Sequence, residues 1–184
     1  MNMKISFLYE SIRDIQSSIR SLDVKAGIIA ALLFIPIYKL SDFSSFVSNI
    51  LQKSDIIVFF FSLNALFWIF SIIIVFMAIV AISDPAEKIR GECPIGSFYG
   101  SYLFRVGWLQ YLFNWPCQST KTLQQDIAAV PSEENDIILE LGYERAKLIY
   151  IRSVKNKRIF ICTISTFIWL VFTVILYSAC GGKT

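Results

Sequence analysis

Residues 56–82 read IIVFFFSLNALFWIFSIIIVFMAIVAI, without a single charged side chain. Polar side chains in this stretch are limited to Ser62, Asn64 and Ser71. As an α-helix it would extend about 40 Å, which exceeds the hydrocarbon thickness of a bilayer at about 30 Å. The stretch therefore predicts a transmembrane helix that crosses with some tilt.

Two other apolar stretches bring the prediction to about three spans, at residues 24–47 and 159–179. The later stretch has the length that a span needs. The earlier one has a short uncharged centre that contains Pro36. We expect it to cross only if Lys39 extends its ammonium group toward water and further apolar residues join the helix. These further residues are Phe43, Phe46 and Val47.

Composition agrees with a membrane protein. Of the 184 residues, 55% are hydrophobic, 16 are Phe and only 17% are charged. The charges avoid the three apolar stretches almost completely, as expected because a charge in hydrocarbon costs several kcal/mol. We predict an all-α integral membrane protein with four segments. The first two are an amphipathic cytoplasmic helix at 1–23 and a transmembrane hairpin at 24–83, with spans at about 24–47 and 56–82. The last two are an interfacial aromatic segment and linker at 84–131 and a long helix at 132–184 that continues from the cytoplasm into the third span, at about 159–179.

The distribution of basic residues predicts the orientation. Fourteen of the 17 Lys and Arg residues lie before the uncharged centre of the first span, residues 26–38, or between the second and third spans. By the positive-inside rule, the N-terminus and residues 84–158 face the cytoplasm. The net charge of +3 fits contact with anionic lipid headgroups, so we expect no nucleic-acid partner.

A repeat of apolar residues marks the N-terminal helix. The residues recur at spacings of three and four, which places them along one helical face. We define this face as the N-terminal seam, and it predicts a packing surface. Its partner is either another helix of the same protomer or a helix of a second protein. The seam consists of Ile5, Leu8, Ile12, Ile15, Ile19 and Leu22.

The C-terminal part predicts one unusually long helix. Ser132 follows Pro131 and precedes two Glu residues, a pattern typical of a helix start. From there to about Ala179 the helix would measure roughly 70 Å. Before it, the aromatic-rich residues 97–115 suit the membrane interface and the polar residues 116–131 suit a linker.

Three cations fall on or beside the apolar face of this long helix, at Arg145, Arg152 and Lys155. One interpretation is that they pair with acids or extend toward water; the candidate acids are Asp14, Asp23 and Glu144. The other is that they bind an anionic ligand such as a phosphate, which an arginine can hold with two parallel hydrogen bonds.

Catalytic and metal-binding patterns are missing from the sequence. It contains no His and four Cys, none of them in a C-x-x-C pair. Histidine is the commonest base at neutral pH, and clustered Cys or His would be needed for a zinc site. We therefore expect no enzymatic activity, no metal and no cofactor.

The sequence Asp23-Val24-Lys25-Ala26 forms an Asp-x-Lys-Ala motif where the first span begins. By this motif the chain resembles the transmembrane effectors of bacterial Pycsar anti-phage defence systems. An aromatic-Gly signature after a proline and a basic cluster before the last span are similar as well. The residues that carry these two similarities are Pro94, Phe98, Tyr99, Gly100, Lys155 and Arg158.

The resemblance implies a partner nucleotide cyclase, a cyclic pyrimidine mononucleotide as ligand, an inner-membrane location and loss of membrane integrity on activation. We then expect a homo-oligomer whose ligand-binding candidates are Lys25, Arg145, Arg152 and Lys155. Two other hypotheses differ in class: a constitutive scaffold subunit that docks a partner protein through the seam, and a membrane-active toxin that needs no nucleotide.

The predicted orientation can be tested by accessibility labelling. In a chain carrying Cys93→Ser, Cys117→Ser and Cys180→Ser, we expect Lys53→Cys to react with a membrane-impermeant maleimide in intact cells, because residue 53 lies in the predicted external loop. Lys121→Cys should react only after the membrane is opened. Labelling of residue 121 in intact cells would contradict the orientation.

Overall fold

The computed structural model of the protein describes residues 2–38, 48, 54–80, 82, 85–89, 119, 120 and 122–181, without the side chains of 86, 87 and 179–181. Of the described residues, 90% are helical and none lies in a strand. The helices are α1 (Met3–Tyr38), α2 (Asp55–Ile79), α3 (Leu123–Ala128) and α4 (Glu134–Gly181), with a 3-10 turn at Pro85–Lys88.

Three of these helices, α1, α2 and α4, are long and apolar enough to cross a membrane. Only 11–33% of the residues in their most apolar windows are buried inside the chain, so most apolar side chains point outward. This is the arrangement that lipid, rather than water, would solvate. The predicted all-α membrane protein with three spans is confirmed.

Helix α1 includes residues on both sides of the predicted boundary between residues 23 and 24. Its 36 residues run without interruption from the amphipathic segment into the first apolar stretch, and Pro36 lies inside the helix. Proline removes one backbone donor, a loss that membrane helices tolerate because neighbouring groups satisfy the freed carbonyl. Residues 39–47, which we predict to be part of this span, lie outside the described residues.

Helix α4 confirms the prediction of one long helix. It contains 48 residues from Glu134 to Gly181, which corresponds to about 72 Å. Glu134 and Asp136 occupy its first turn, where acids complement the helix dipole. Helix α2 begins one residue before the predicted span and ends three residues earlier, since Val80 is already extended.

Helix α3 lies in the stretch that the sequence assigns to a linker. Its start carries a capping box: Gln125 N donates to Thr122 Oγ1 at 3.3 Å, and Thr122 N donates to Gln125 Oε1 at 3.0 Å. These reciprocal bonds satisfy two backbone donors and stabilise a helix of only six residues. The stretch assigned to a linker therefore contains a short capped helix. The aromatic segment 97–115 lies outside the described residues.

The chain divides into two compact units. The first combines residues 1–17 with 83–151, and the second combines 18–82 with 152–184. In the first unit Ile12, Ile15 and Leu141 are buried. Within the N-terminal seam as a whole, Ile12, Ile15 and Leu22 are buried and the other three residues are half-buried, which confirms a packing surface.

The core of the second unit lies among α1, α2 and α4. Ala26, Ala78 and Cys162 are completely buried, and such small side chains let helix backbones approach closely in membranes. Larger side chains fill the remaining space, and Phe34 of α1 meets Phe76 of α2 edge to face at 6.2 Å. The other buried residues of this core are Leu22, Leu33, Val75, Ile159 and Trp169.

Polar side chains align α2 against α4 in antiparallel register. Asn64 Nδ2 donates to Thr173 Oγ1 at 3.0 Å, the hydroxyl oxygens of Ser71 and Ser165 lie 2.7 Å apart, and Arg158 Nη1 donates to the Met77 carbonyl at 2.5 Å. Without water in hydrocarbon, polar groups of this kind bond one another across the helices. We call this set the polar ladder.

Close packing at Ala26 yields a stability prediction. Ala26→Leu should lower the free energy of unfolding by about 1–3 kcal/mol, because a larger side chain has no room where the exposed fraction is 0%. Thermal unfolding of the detergent-solubilised chain, followed by tryptophan fluorescence, measures the change. Ala31→Leu is the matched control, since Ala31 is exposed on the same helix. Equal melting temperatures for the two variants would contradict the packing.

Candidate anion-binding site

A polar cavity of about 350 Å³ lies between α1 and α4 in the second unit. On α1, its lining residues recur at spacings of three and four, so they share one helical face. On α4 they lie within about one turn. The residues that line the cavity are Ser18, Ser21, Leu22 and Lys25 of α1 and Arg152, Ser153 and Asn156 of α4.

The cavity is positively charged. Lys25 is exposed and Arg152 is half-buried, and neither forms an ion pair within the described part of the chain. Among the described residues, no acid contributes to the lining. Three serine hydroxyls and the Asn156 amide add neutral hydrogen-bonding groups. Two cations with several hydroxyls around them form a site that fits a phosphate or another small anion.

Lys155 lies next to this cavity but is already paired. Its Nζ donates to Asp23 Oδ1, and the two groups form a salt bridge. The Lys155 side chain is 9% exposed, whereas that of Asp23 is 46% exposed. The interpretation that a cation of α4 pairs with an acid therefore applies to Lys155.

Arg145 belongs to the first unit and does not line the cavity. Its Nε donates to Ser11 Oγ at 2.7 Å, and its guanidinium carbon lies 5.9 Å from the centre of the Phe7 ring. Glu144, which the sequence offers as a partner for these cations, pairs with Lys147 instead. Of the four predicted ligand-binding residues, the structure brings only Lys25 and Arg152 together.

Sequence reasoning missed the neutral part of the site. Ser18, Ser21 and Lys25 lie at spacings of three and four beside the seam, and this pattern was available as a signal. The contribution of Asn156 depends on which face of α4 meets α1, which periodicity alone does not determine.

Comparisons of the chain with protein-family models, curated proteins and solved structures find no match. Its function is therefore inferred from its own residues and their geometry. Within the described residues, no group of three or more His, Cys, Asp or Glu side chains could hold a metal ion.

Removing Asp23 and removing Lys155 should lower the free energy of unfolding by different amounts. Asp23→Asn leaves a buried ammonium group without its counter-ion and should destabilise the chain by about 1–3 kcal/mol. Lys155→Met should cost less, because the carboxylate of Asp23 is about half exposed and water can solvate it. Thermal unfolding in detergent measures both.

The double variant D23N/K155M controls for the loss of each side chain. It should be more stable than Asp23→Asn alone, because no buried charge is left unpaired. A double variant that loses the sum of the two single effects would show that the ion pair carries no coupling energy.

Proposed function

We propose that the protein is a membrane effector of a cyclic-nucleotide-signalled bacterial anti-phage defence system. It senses a cyclic mononucleotide at the cytoplasmic end of its spans and impairs inner-membrane integrity. The single observation that carries this proposal is the cavity lined by Lys25 and Arg152, which has two cations and no acid among the described residues and lies between two membrane-spanning helices.

The chemistry of the cavity matches a cyclic phosphate. The guanidinium of Arg152 can hold two phosphate oxygens in parallel, and the ammonium of Lys25 adds a second positive charge. Serine and asparagine side chains can bond the ribose hydroxyl or the base. Lys25 also belongs to the Asp-x-Lys-Ala motif by which the chain resembles Pycsar effectors, a resemblance that favours a cyclic pyrimidine mononucleotide.

Helix direction supports a cytoplasmic site. Residues 18–25 of α1 share one cavity with 152–156 of α4, and residues 35–36 share the other with 169–177. This order is the same along both helices, so α1 and α4 are parallel in the second unit. Both halves of the cavity then lie at one end of the bundle. In the proposed orientation, with the N-terminus and residues 84–158 cytoplasmic, this end faces the compartment where a nucleotide cyclase would release its product.

Activation would act through the packing of α1 against α4. A ligand can shift this packing only if it binds one arrangement more tightly than the other. We infer that bound nucleotide favours an assembled homo-oligomer whose spans open or disorder the bilayer.

The scaffold alternative has less support. It requires the N-terminal seam to be free for a partner protein, yet Ile12 and Ile15 are only 4% and 5% exposed in the isolated chain. The toxin alternative differs in its outcome, since it predicts membrane leakage without any nucleotide.

Titration calorimetry of the purified full-length protein in detergent tests ligand binding. We expect heat on addition of cyclic CMP or cyclic UMP. Arg152→Gln should weaken binding by about 10- to 100-fold, and Lys25→Gln by about tenfold, because each removes a charge-assisted hydrogen bond of about 1.5–3 kcal/mol. Liposomes filled with dye and reconstituted with the protein should leak only when the nucleotide is present.

Lys157→Gln is the matched control. Lys157 lies on the same helix and is exposed but does not line the cavity, so its loss should change affinity by no more than about twofold. No heat with any cyclic mononucleotide would contradict the sensing role. Leakage from liposomes without nucleotide would instead favour the toxin.

A further inference from the structure

A second cavity, of about 570 Å³, lies within the membrane-spanning part of the second unit. It lies toward the opposite end of the bundle from the anion-binding site, and its walls come from α1, α2 and α4 together. Its volume falls in the range of small-molecule sites. The lining is almost entirely apolar and includes Pro36, Trp68, Trp169 and Tyr177, together with the polar residues Asn64 and Thr173.

The hydrogen bonds around Asn64 determine which way its amide points. Thr173 Oγ1 donates its one proton to the Trp169 carbonyl at 2.8 Å. The same oxygen must therefore accept from its other neighbour, so the atom that faces it at 3.0 Å is Asn64 Nδ2. Flipping the amide would place two acceptors against each other.

This orientation leaves Asn64 Oδ1 as an acceptor without a donor among the described residues. The side chain is only 6% exposed, and hydrocarbon offers no water to bond it. The neighbouring indole cannot serve, because Trp68 Nε1 donates to the Leu33 carbonyl at 2.9 Å. An unsatisfied acceptor in such a place costs free energy that a bound donor would recover.

We propose that this cavity binds a membrane-soluble amphiphile with an apolar body and one hydroxyl or N–H group, which donates to Asn64 Oδ1. The apolar lining accepts the body and excludes charged groups, and the unpaired Asn64 oxygen selects for a donor. Such a molecule would enter from the bilayer rather than from water. It would contact all three spans and so stabilise one packing of the bundle.

Heavy-atom quenching of tryptophan fluorescence tests the site, because Trp68 and Trp169 both line it. The probes are 11-bromo-1-undecanol and 1-bromoundecane, which differ only in the donor. On the full-length protein in lipid nanodiscs we expect saturable quenching by the alcohol. Its apparent dissociation constant should be about three- to tenfold below that of the bromoalkane, the factor expected for one neutral hydrogen bond.

Two substitutions test whether the preference for the alcohol depends on Asn64. Asn64→Leu should remove the preference for the alcohol while leaving quenching by the bromoalkane. Ser71→Ala is the matched control, because Ser71 is buried on the same helix and belongs to the polar ladder but does not line the cavity. It should keep the preference. If Asn64→Leu fails to fold, the comparison of the two probes on the unchanged chain still shows whether the cavity prefers a molecule with a hydrogen-bond donor.

Three results would overturn the proposal. Equal quenching by both probes would mean that only an acyl chain or unspecific partitioning fills the cavity. An unchanged preference in Asn64→Leu would place the donor elsewhere. Absence of saturable quenching, together with an altered oligomer mass of Asn64→Leu in light scattering, would mean that a second copy of this chain supplies the donor.

Discussion

The requirement that hydrocarbon places on polar groups controls the structure of this protein. No water is present in the bilayer core, so every backbone amide must be paired within its own segment, which makes helices the form of the three spans. The same requirement reaches the side chains. Asn64, Ser71 and Thr173 have no solvent to bond, and they form the polar ladder that aligns α2 against α4. Register in this bundle thus comes from a few polar residues, whereas close approach comes from small ones such as Ala26 and Ala78.

Two cavities in one bundle differ in the chemistry they offer. The cavity around Lys25 and Arg152 is lined by hydroxyls and cations, because it lies at the end where charged residues gather. The cavity around Asn64 is apolar and contains one acceptor without a donor among the described residues, because it lies in the membrane-spanning part of the helices. Helices α1 and α4 contribute to both. A ligand in either cavity would therefore act on the same helix interface, which gives the proposed nucleotide sensor a second point of control from within the membrane.

The Asp23–Lys155 pair and the proposed site illustrate how neighbouring cations acquire different roles. Lys155 is buried and has its counter-ion in Asp23, so its charge is neutralised locally where α1 meets α4. Arg152, three residues earlier, faces a cavity without an acid among the described residues and keeps its charge available. Burial and the presence of a neighbouring acid, rather than residue type, separate a paired cation from one whose charge stays available.

The sequence by itself determined which segments lie in lipid and which lie in water. Runs of uncharged apolar residues and their length establish three spans and a long C-terminal helix, since the cost of a buried charge is a property of composition alone. It also placed Lys25 and Arg152 among the candidates. Only the tertiary structure decided that these two share a cavity, that Lys155 is paired with Asp23, and that Arg145 bonds Ser11 in the other unit. The tertiary structure alone revealed that Asn64 Oδ1 has no donor among the described residues. Such outcomes depend on which helix faces meet, and helical periodicity describes one helix at a time without its partner.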